Sequence, residues 1–202
     1  MKILTLVAVP LLLAAALPAM AIEEPPYTVL QRHEGFEVRR YEPYLVAQTV
    51  VQADAEAAGN RGFRVLAGYI FGANKGARRI AMTAPVAQAP LRIAMTAPVA
   101  QSGGGDGRQV VQFMMPREWT RDTLPEPEDP AVAIAEVPAR TLAVIAYSGT
   151  WSRERYEQQL ATLREGLARA GLRARGEPVW ARYDPPWKPW FLRRNEIWIE
   201  VD

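Results

Sequence analysis

Residues 132–171 read Val132-Ala-Ile-Ala-Glu-Val-Pro-Ala-Arg-Thr-Leu-Ala-Val-Ile-Ala-Tyr-Ser-Gly-Thr-Trp-Ser-Arg-Glu-Arg-Tyr-Glu-Gln-Gln-Leu-Ala-Thr-Leu-Arg-Glu-Gly-Leu-Ala-Arg-Ala-Gly171. Val132–Val137 and Arg140–Tyr147 predict two strands joined at Pro138-Ala139. The second is apolar on both faces, with Leu142 and Val144 on one and Ala143 and Ile145 on the other, which places it inside a sheet. Ser152 then caps a helix whose Tyr156, Leu160, Leu163 and Leu167 share one stripe, and Gly171 ends it. The same order occurs in Phe36–Gly72. A strand Phe36–Tyr41 breaks at Pro43, a second strand runs Tyr44–Val51, and Asp54 caps a helix to about Phe71. Phe63, Leu66, Ala67 and Ile70 give that helix a core-facing stripe. Identity between the halves is low, so the repeat is architectural. It predicts an α+β fold: a distorted antiparallel β-barrel built from two strand-strand-helix-strand halves, with two flanking helices.

The remaining segments fit around these halves. Tyr27–His33 predicts a strand turning at Glu34-Gly35, and Val110–Met115, Val179–Tyr183 and Glu196–Val201 predict three more. Ser102–Gly107 holds four glycines and reads as a loop. Ile80-Ala-Met-Thr-Ala-Pro-Val-Ala-Gln88 recurs at Ile93–Gln101, a period of 13. Two copies are too few for a solenoid. Met82 and Met95 within them are expected to pack the core.

Composition removes whole classes of chemistry. There is no Cys and one His, His33, among 202 residues. That excludes disulfides, thiolate metal sites, Cys nucleophiles and multi-His metal sites. Lys+Arg of 24 against Asp+Glu of 22 gives +2, too balanced for a nucleic-acid binder working by bulk charge. Residues 1–21 carry a basic start, an apolar run and Ala19-Met20-Ala21, the pattern of a signal peptide cleaved before Ile22. Residues 22–202 then form one domain, expected to be soluble, without membrane insertion, and periplasmic or secreted.

Several segments resemble the SOUL haem-binding family. They are Ala57-Ala-Gly-Asn-Arg-Gly-Phe-Arg-Val-Leu-Ala-Gly-Tyr-Ile-Phe-Gly72, the doubled Ile-Ala-Met-Thr-Ala-Pro-Val, Phe113-Met-Met-Pro116, and Tyr183-Asp-Pro-Pro-Trp-Lys-Pro-Trp-Phe-Leu-Arg-Arg-Asn-Glu-Ile-Trp-Ile199. The resemblance covers nearly all of residues 22–202. It implies a distorted barrel with two helices. It also implies a protein that binds haem or a related tetrapyrrole non-covalently, often without a dedicated axial ligand. The family's cleft lies between the first helix and the loop before the last strand, and Lys188 matches a Lys placed there near the haem propionates.

The residues themselves suggest how such a cleft could work. A second side of the first helix carries Ala58, Arg61, Val65, Gly68 and Tyr69 and is expected to face outward. Gly68 offers a flat place for a planar ring, and the Arg61 guanidinium matches carboxylate geometry. The loop Pro185–Phe191 supplies Trp187, Trp190 and Phe191 beside Lys188. Arg61, Val65, Gly68, Tyr69, Trp187 and Lys188 are therefore the expected ligand residues, in an apolar cleft with a basic rim. His33 sits at a strand end outside this cleft. No catalytic or metal-binding constellation is legible. The expected role is binding without catalysis. A hydrolase or effector-binding barrel of related fold, and an envelope scaffold without a small ligand, are the alternatives.

Overall fold

The computed structural model describes residues 22–90 and 107–202. The expected signal peptide and the second Met-Thr-Ala-Pro-Val copy lie outside the described residues. The elements are β1 (Tyr27–His33), β2 (Phe36–Tyr41), β3 (Tyr44–Gln52), α1 (Ala55–Ile70), β4 (Val86–Pro90), β5 (Arg108–Met114), β6 (Ala133–Val137), β7 (Arg140–Tyr147), α2 (Arg153–Arg169), β8 (Ala174–Arg182), a 3-10 turn (Trp190–Leu192) and β9 (Asn195–Val201). The helix signals act as read. The Asp54 side chain accepts from the Ala57 N–H, and Ser152 accepts from the Arg155 N–H. Gly171 follows α2 at φ +67°, a conformation that favours glycine.

All nine strands join one antiparallel sheet in the order β1-β2-β7-β9-β8-β4-β5-β3-β6. Within it, β2-β3-α1-β4-β5 and β6-β7-α2-β8-β9 are equivalent halves. Exchanging them, β2 for β6 and β3 for β7 and so on, reverses the order of the eight strands and leaves it unchanged. The two-half reading therefore holds, with a pseudo-twofold axis between β4 and β8.

The barrel is a correction: the sheet curls but does not close. Trp198 of β9 and Val46 of β3, four strands apart, line one small cavity. Arg140 at the start of β7 reaches Tyr44 at the start of β3, donating to its hydroxyl at 3.1 Å. Closure fails because β1 occupies the outer edge of β2. The edges left over are β1, which is largely exposed, and the five-residue β6.

Alternation within the strands makes two cores. On the helix side, Phe36, Val38, Ala143, Ile145, Ile197, Ile199 and Val201 pack beneath Leu160, Leu163 and Leu167 of α2. Ala47, Val111 and Phe113 pack beneath Leu66, Tyr69 and Ile70 of α1. On the concave side, Tyr41, Leu142, Val144, Ala181, Tyr183 and Trp198 form a third cluster. In α1, Gly59 lies against Gln88 and Arg182, and Gly62 against Val111. In α2, Tyr156 stacks on Trp180 and Gly166 lies on Phe36.

Four expectations about faces need correcting. Tyr69 is 1% exposed and points inward, and Ala58 is buried too, whereas Phe63 is partly exposed beside Phe113. The physical reason is the glycines. Gly59 and Gly62 bring the α1 backbone close to the sheet, which turns the Ala58–Gly62–Leu66–Tyr69 side inward. Met82 is exposed instead of packing the core, because the chain is irregular there and regular pairing begins only at Val86.

Candidate functional site

The loop between β8 and β9 is held by its own polar groups. Lys188 Nζ pairs with Asp184 Oδ1 at 2.6 Å, and Asp184 Oδ2 accepts from the Arg194 N–H at 2.6 Å. Arg193 donates to the Lys188 and Pro186 carbonyls while its guanidinium lies 4.6 Å over the Trp151 ring. Gly149 N–H donates to the Trp190 carbonyl at 3.2 Å. With the backbone fixed in this way, the apolar side chains point into solvent. Trp187 is 83% exposed, and Trp190, Phe191 and Leu192 are each 57% exposed. Isolated exposed apolar residues are ordinary, but four large ones within six positions form a patch that marks a binding surface.

On α1, Arg61 and Gly68 are exposed and Val65 is half-buried. A Cβ at Gly68 would meet only Ala73, at 4.0 Å, so no strand crosses this glycine. Tyr69 drops out of the expected wall. Its hydroxyl donates to the Pro125 carbonyl at 2.8 Å, and burial pushes it up to about 12. Lys188 is already paired with Asp184, so it must release that carboxylate to meet another. Arg61, Val65 and Gly68 thus share one helix surface and Trp187 and Lys188 share one loop. The two groups do not line a common enclosed cavity with each other.

A sizeable groove lies elsewhere among the described residues. It has a volume of about 930 Å³ and sits near the pseudo-twofold axis, where the N-terminal turns of α1 and α2 converge over β4 and β8. Trp151, Tyr156 and Leu160 form one wall, Trp180, Pro178, Gln88 and Gln109 the floor. Asp54, Glu157, Glu177, Arg153 and Arg164 ring it. None of the six expected residues lines it. Sequence reasoning passed over Trp151 and Trp180 because their positions on the chain say nothing of this convergence.

The concave face holds a buried polar cluster. The Glu196 carboxylate accepts from Arg39, Arg194, the Tyr183 hydroxyl and the Trp198 indole, at 2.7 to 3.0 Å. Burial pushes Glu196 up, but Arg39 and Arg194, with the Tyr183 and Trp198 hydrogen bonds, outweigh it and hold the carboxyl below the usual range. Burial and the Glu196 charge together raise Tyr183 and Tyr41 far above ordinary phenols. Glu196 itself is fully buried, while Arg194 reaches the surface at 37% exposure and pairs there with Glu24, so the cluster ties the loop to the sheet. Among the described residues no group of three His, Asp or Glu side chains is placed to hold a metal ion.

Comparison with known proteins bears on this arrangement. A family model described as SOUL heme-binding protein matches residues 22–200. Heme-binding protein 2 of Homo sapiens is 30% identical over 191 residues, covering 90% of this chain and 87% of that protein. Heme-binding protein 2 of Mus musculus is 29% identical over 168 residues, covering 82% and 77%. The C-terminal domain of EcmrR superposes with a TM-score of 0.61 at 11% identity, covering 87% of this chain and 98% of that one. A hydrolase from Listeria innocua gives 0.55 at 10%, covering 83% and 91%. At such identities the likeness to solved structures concerns the fold alone. The family match takes in both halves, α1 and the β8–β9 loop, and the chain belongs to the SOUL heme-binding protein family.

Proposed function

We propose that this protein binds haem or a related tetrapyrrole non-covalently, as a carrier or buffer without turnover, in the periplasm or outside the cell. The observation that carries the reading is the rigid β8–β9 loop, which presents Trp187, Trp190 and Phe191 to solvent on a backbone already fixed. Ordering the loop beforehand removes an entropy cost from binding. In this reading the α1 surface, with Arg61 and Gly68 exposed and Val65 half-buried, is the second wall, brought against the loop only by the ligand, and Arg61 and Lys188 are the cations for propionates. Burial of a planar ring at about 25 cal/mol per Å² gives useful affinity without a bond to iron.

His33 has no part in this. It ends edge strand β1, stacks on Phe36, and stands three strands from β9, about 14 Å away at the usual strand spacing. Titration with haem and with its dimethyl ester tests the reading. Gly68→Leu should weaken both ligands by about tenfold or more through steric overlap. Lys188→Glu and Arg61→Glu should weaken the free acid more than the ester. His33→Ala should keep the parent's Soret band. Unchanged binding by Gly68→Leu, with circular dichroism confirming the fold, would remove the α1 wall from the site.

A further inference from the structure

The doubled segment has no part in the haem reading, yet the fold gives its first copy a specific place. Arg79-Ile-Ala-Met-Thr-Ala-Pro-Val-Ala-Gln88 and Arg92–Gln101 are identical at all ten positions. The first copy carries the chain from α1 into the sheet. The Ile80 N–H donates to the Ile70 carbonyl at 2.8 Å, and the Ile80 side chain is 3% exposed in the cluster of Leu66, Tyr69 and Phe113. The Thr83 hydroxyl donates to the Met114 carbonyl, and the Ala84 N–H to the Glu23 carbonyl at 3.0 Å. Val86, Ala87 and Gln88 pair with β5 on one side and β8 on the other. Each of these residues recurs thirteen positions later. Ala89 and Pro90, which pair with β5 alone, are the part of β4 that lies outside the repeat.

We propose that Arg92–Gln101 is a spare for β4 and exchanges with the first copy, seating Ile93, Thr96 and Val99–Gln101 where Ile80, Thr83 and Val86–Gln88 stand. The chain permits both registers. Asn74 holds the turn before the repeat by itself, donating to the Tyr69 and Arg78 carbonyls and accepting from the Arg78 N–H. Arg78 and Arg79 are exposed, so residues 79–91 can leave the sheet at that point without crossing the core. At the other end the exchange sets Gly103 opposite Gln109, where Pro90 pairs in the first register, and leaves Gly104-Gly-Asp-Gly-Arg108 to close the hairpin. Five-residue hairpin loops are common, and Gly and Asp suit their turns. Loop-closure entropy grows slowly with length, so passing thirteen residues from one connection to the other is a modest change. The exchanged form opens one more loop, which makes the first copy the ground state and the second its reserve. Neither β5 nor β8 has to shift.

Paired core substitutions, read by urea unfolding, test the exchange. Without it, Ile93→Ala has the same small effect in every background. With it, Ile93→Ala should raise the unfolding constant less than about twofold in the parent and at least about tenfold in Ile80→Ala, where the second copy has taken the seat. Disulfide trapping is the second arm. The chain has no Cys, so two introduced cysteines can join only each other within it. Ala87 stands opposite Gln112 across β4 and β5. Under mild oxidation Ala87→Cys/Gln112→Cys should close fastest. Ala100→Cys/Gln112→Cys should also close, faster once Ile80→Ala is added. It should outpace Gln101→Cys/Gln112→Cys by about tenfold or more, because the exchange turns residue 101 to the opposite face. Neither readout involves haem, so failure here leaves the haem reading standing. Equal effects of Ile93→Ala in the two backgrounds, equal closure of the pairs at 100 and 101, or an Ile80→Ala chain that does not fold overturns the proposal.

Discussion

Glu196 is fully buried and carries a charge, a combination that survives only with full compensation. Arg39 reaches it from β2 and Arg194 from the loop, while Tyr183 and Trp198 fill the remaining lone pairs. Glu196→Gln should therefore cost about 3 kcal/mol, because it removes the buried anion between Arg39, which keeps only Glu37, and Arg194, which keeps only Glu24. Urea denaturation at neutral pH checks this. The pH dependence has a definite sign. The Glu196 carboxyl is held below its unfolded value, so its contribution is complete above that value and drains away as pH falls through the folded one. The parent should lose stability through the acid range below about pH 4, and Glu196→Gln should show a shallower decline there. Nothing in the sequence marks this glutamate from Glu200 on the same strand face. The difference is made by Arg39, a residue 157 positions away.

At the scale of elements, the glycines of α1 decide how the helix sits. The periodicity places Leu66 and Ile70 inward correctly, but the same pattern fits two stripes that share those residues. Choosing between Phe63 and Tyr69 requires the position of the sheet. A Cβ at Gly62 would meet Val111 at 2.5 Å, whereas at Gly68 it meets only Ala73, at an ordinary 4.0 Å. Gly62→Ala should accordingly destabilise by about 1–3 kcal/mol through overpacking. Gly68→Ala should stabilise by up to about 1 kcal/mol through helix propensity. Paired denaturation curves of the two variants give the test: the same substitution, two turns apart, with opposite signs. The β8–β9 loop was legible in the sequence because Trp187, Trp190 and Phe191 fall within five residues and the prolines among them stiffen the backbone. The groove was not, because its residues run from Asp54 to Trp180 and come from both halves.

Across the whole molecule, residues 22–26 bind the halves together. Glu23 accepts from the Ala84 and Arg117 backbone N–H groups, Glu24 pairs with Arg194 at 3.0 Å, Pro25 is buried beside the concave cluster, and Pro26 accepts from Glu42. Glu24→Ala alone should cost at most about 1 kcal/mol, since the pair is over a third exposed. Deleting residues 22–26 should cost clearly more, because it also opens the cavity under Trp198. Thermal midpoints of the two variants decide this. An equal effect would mean that the segment adds only its ion pair. Mass spectrometry of protein from its native cells should find a chain beginning at Ile22, with this segment intact.

The sequence by itself determined the strands of both halves other than β4 and the first part of β8, together with the Asp54 and Ser152 caps and the order in which the halves repeat. Each of these depends on neighbours within a few residues, where backbone sterics, capping and periodicity act directly. Only the tertiary structure decided that β1 leaves the sheet open, that Tyr69 turns inward, that Glu196 is neutralised, and that the two helix starts converge on a groove. Each of those depends on which distant segments meet. Local propensity does not encode such meetings, and side-chain volume and charge settle them only once the whole sheet has assembled.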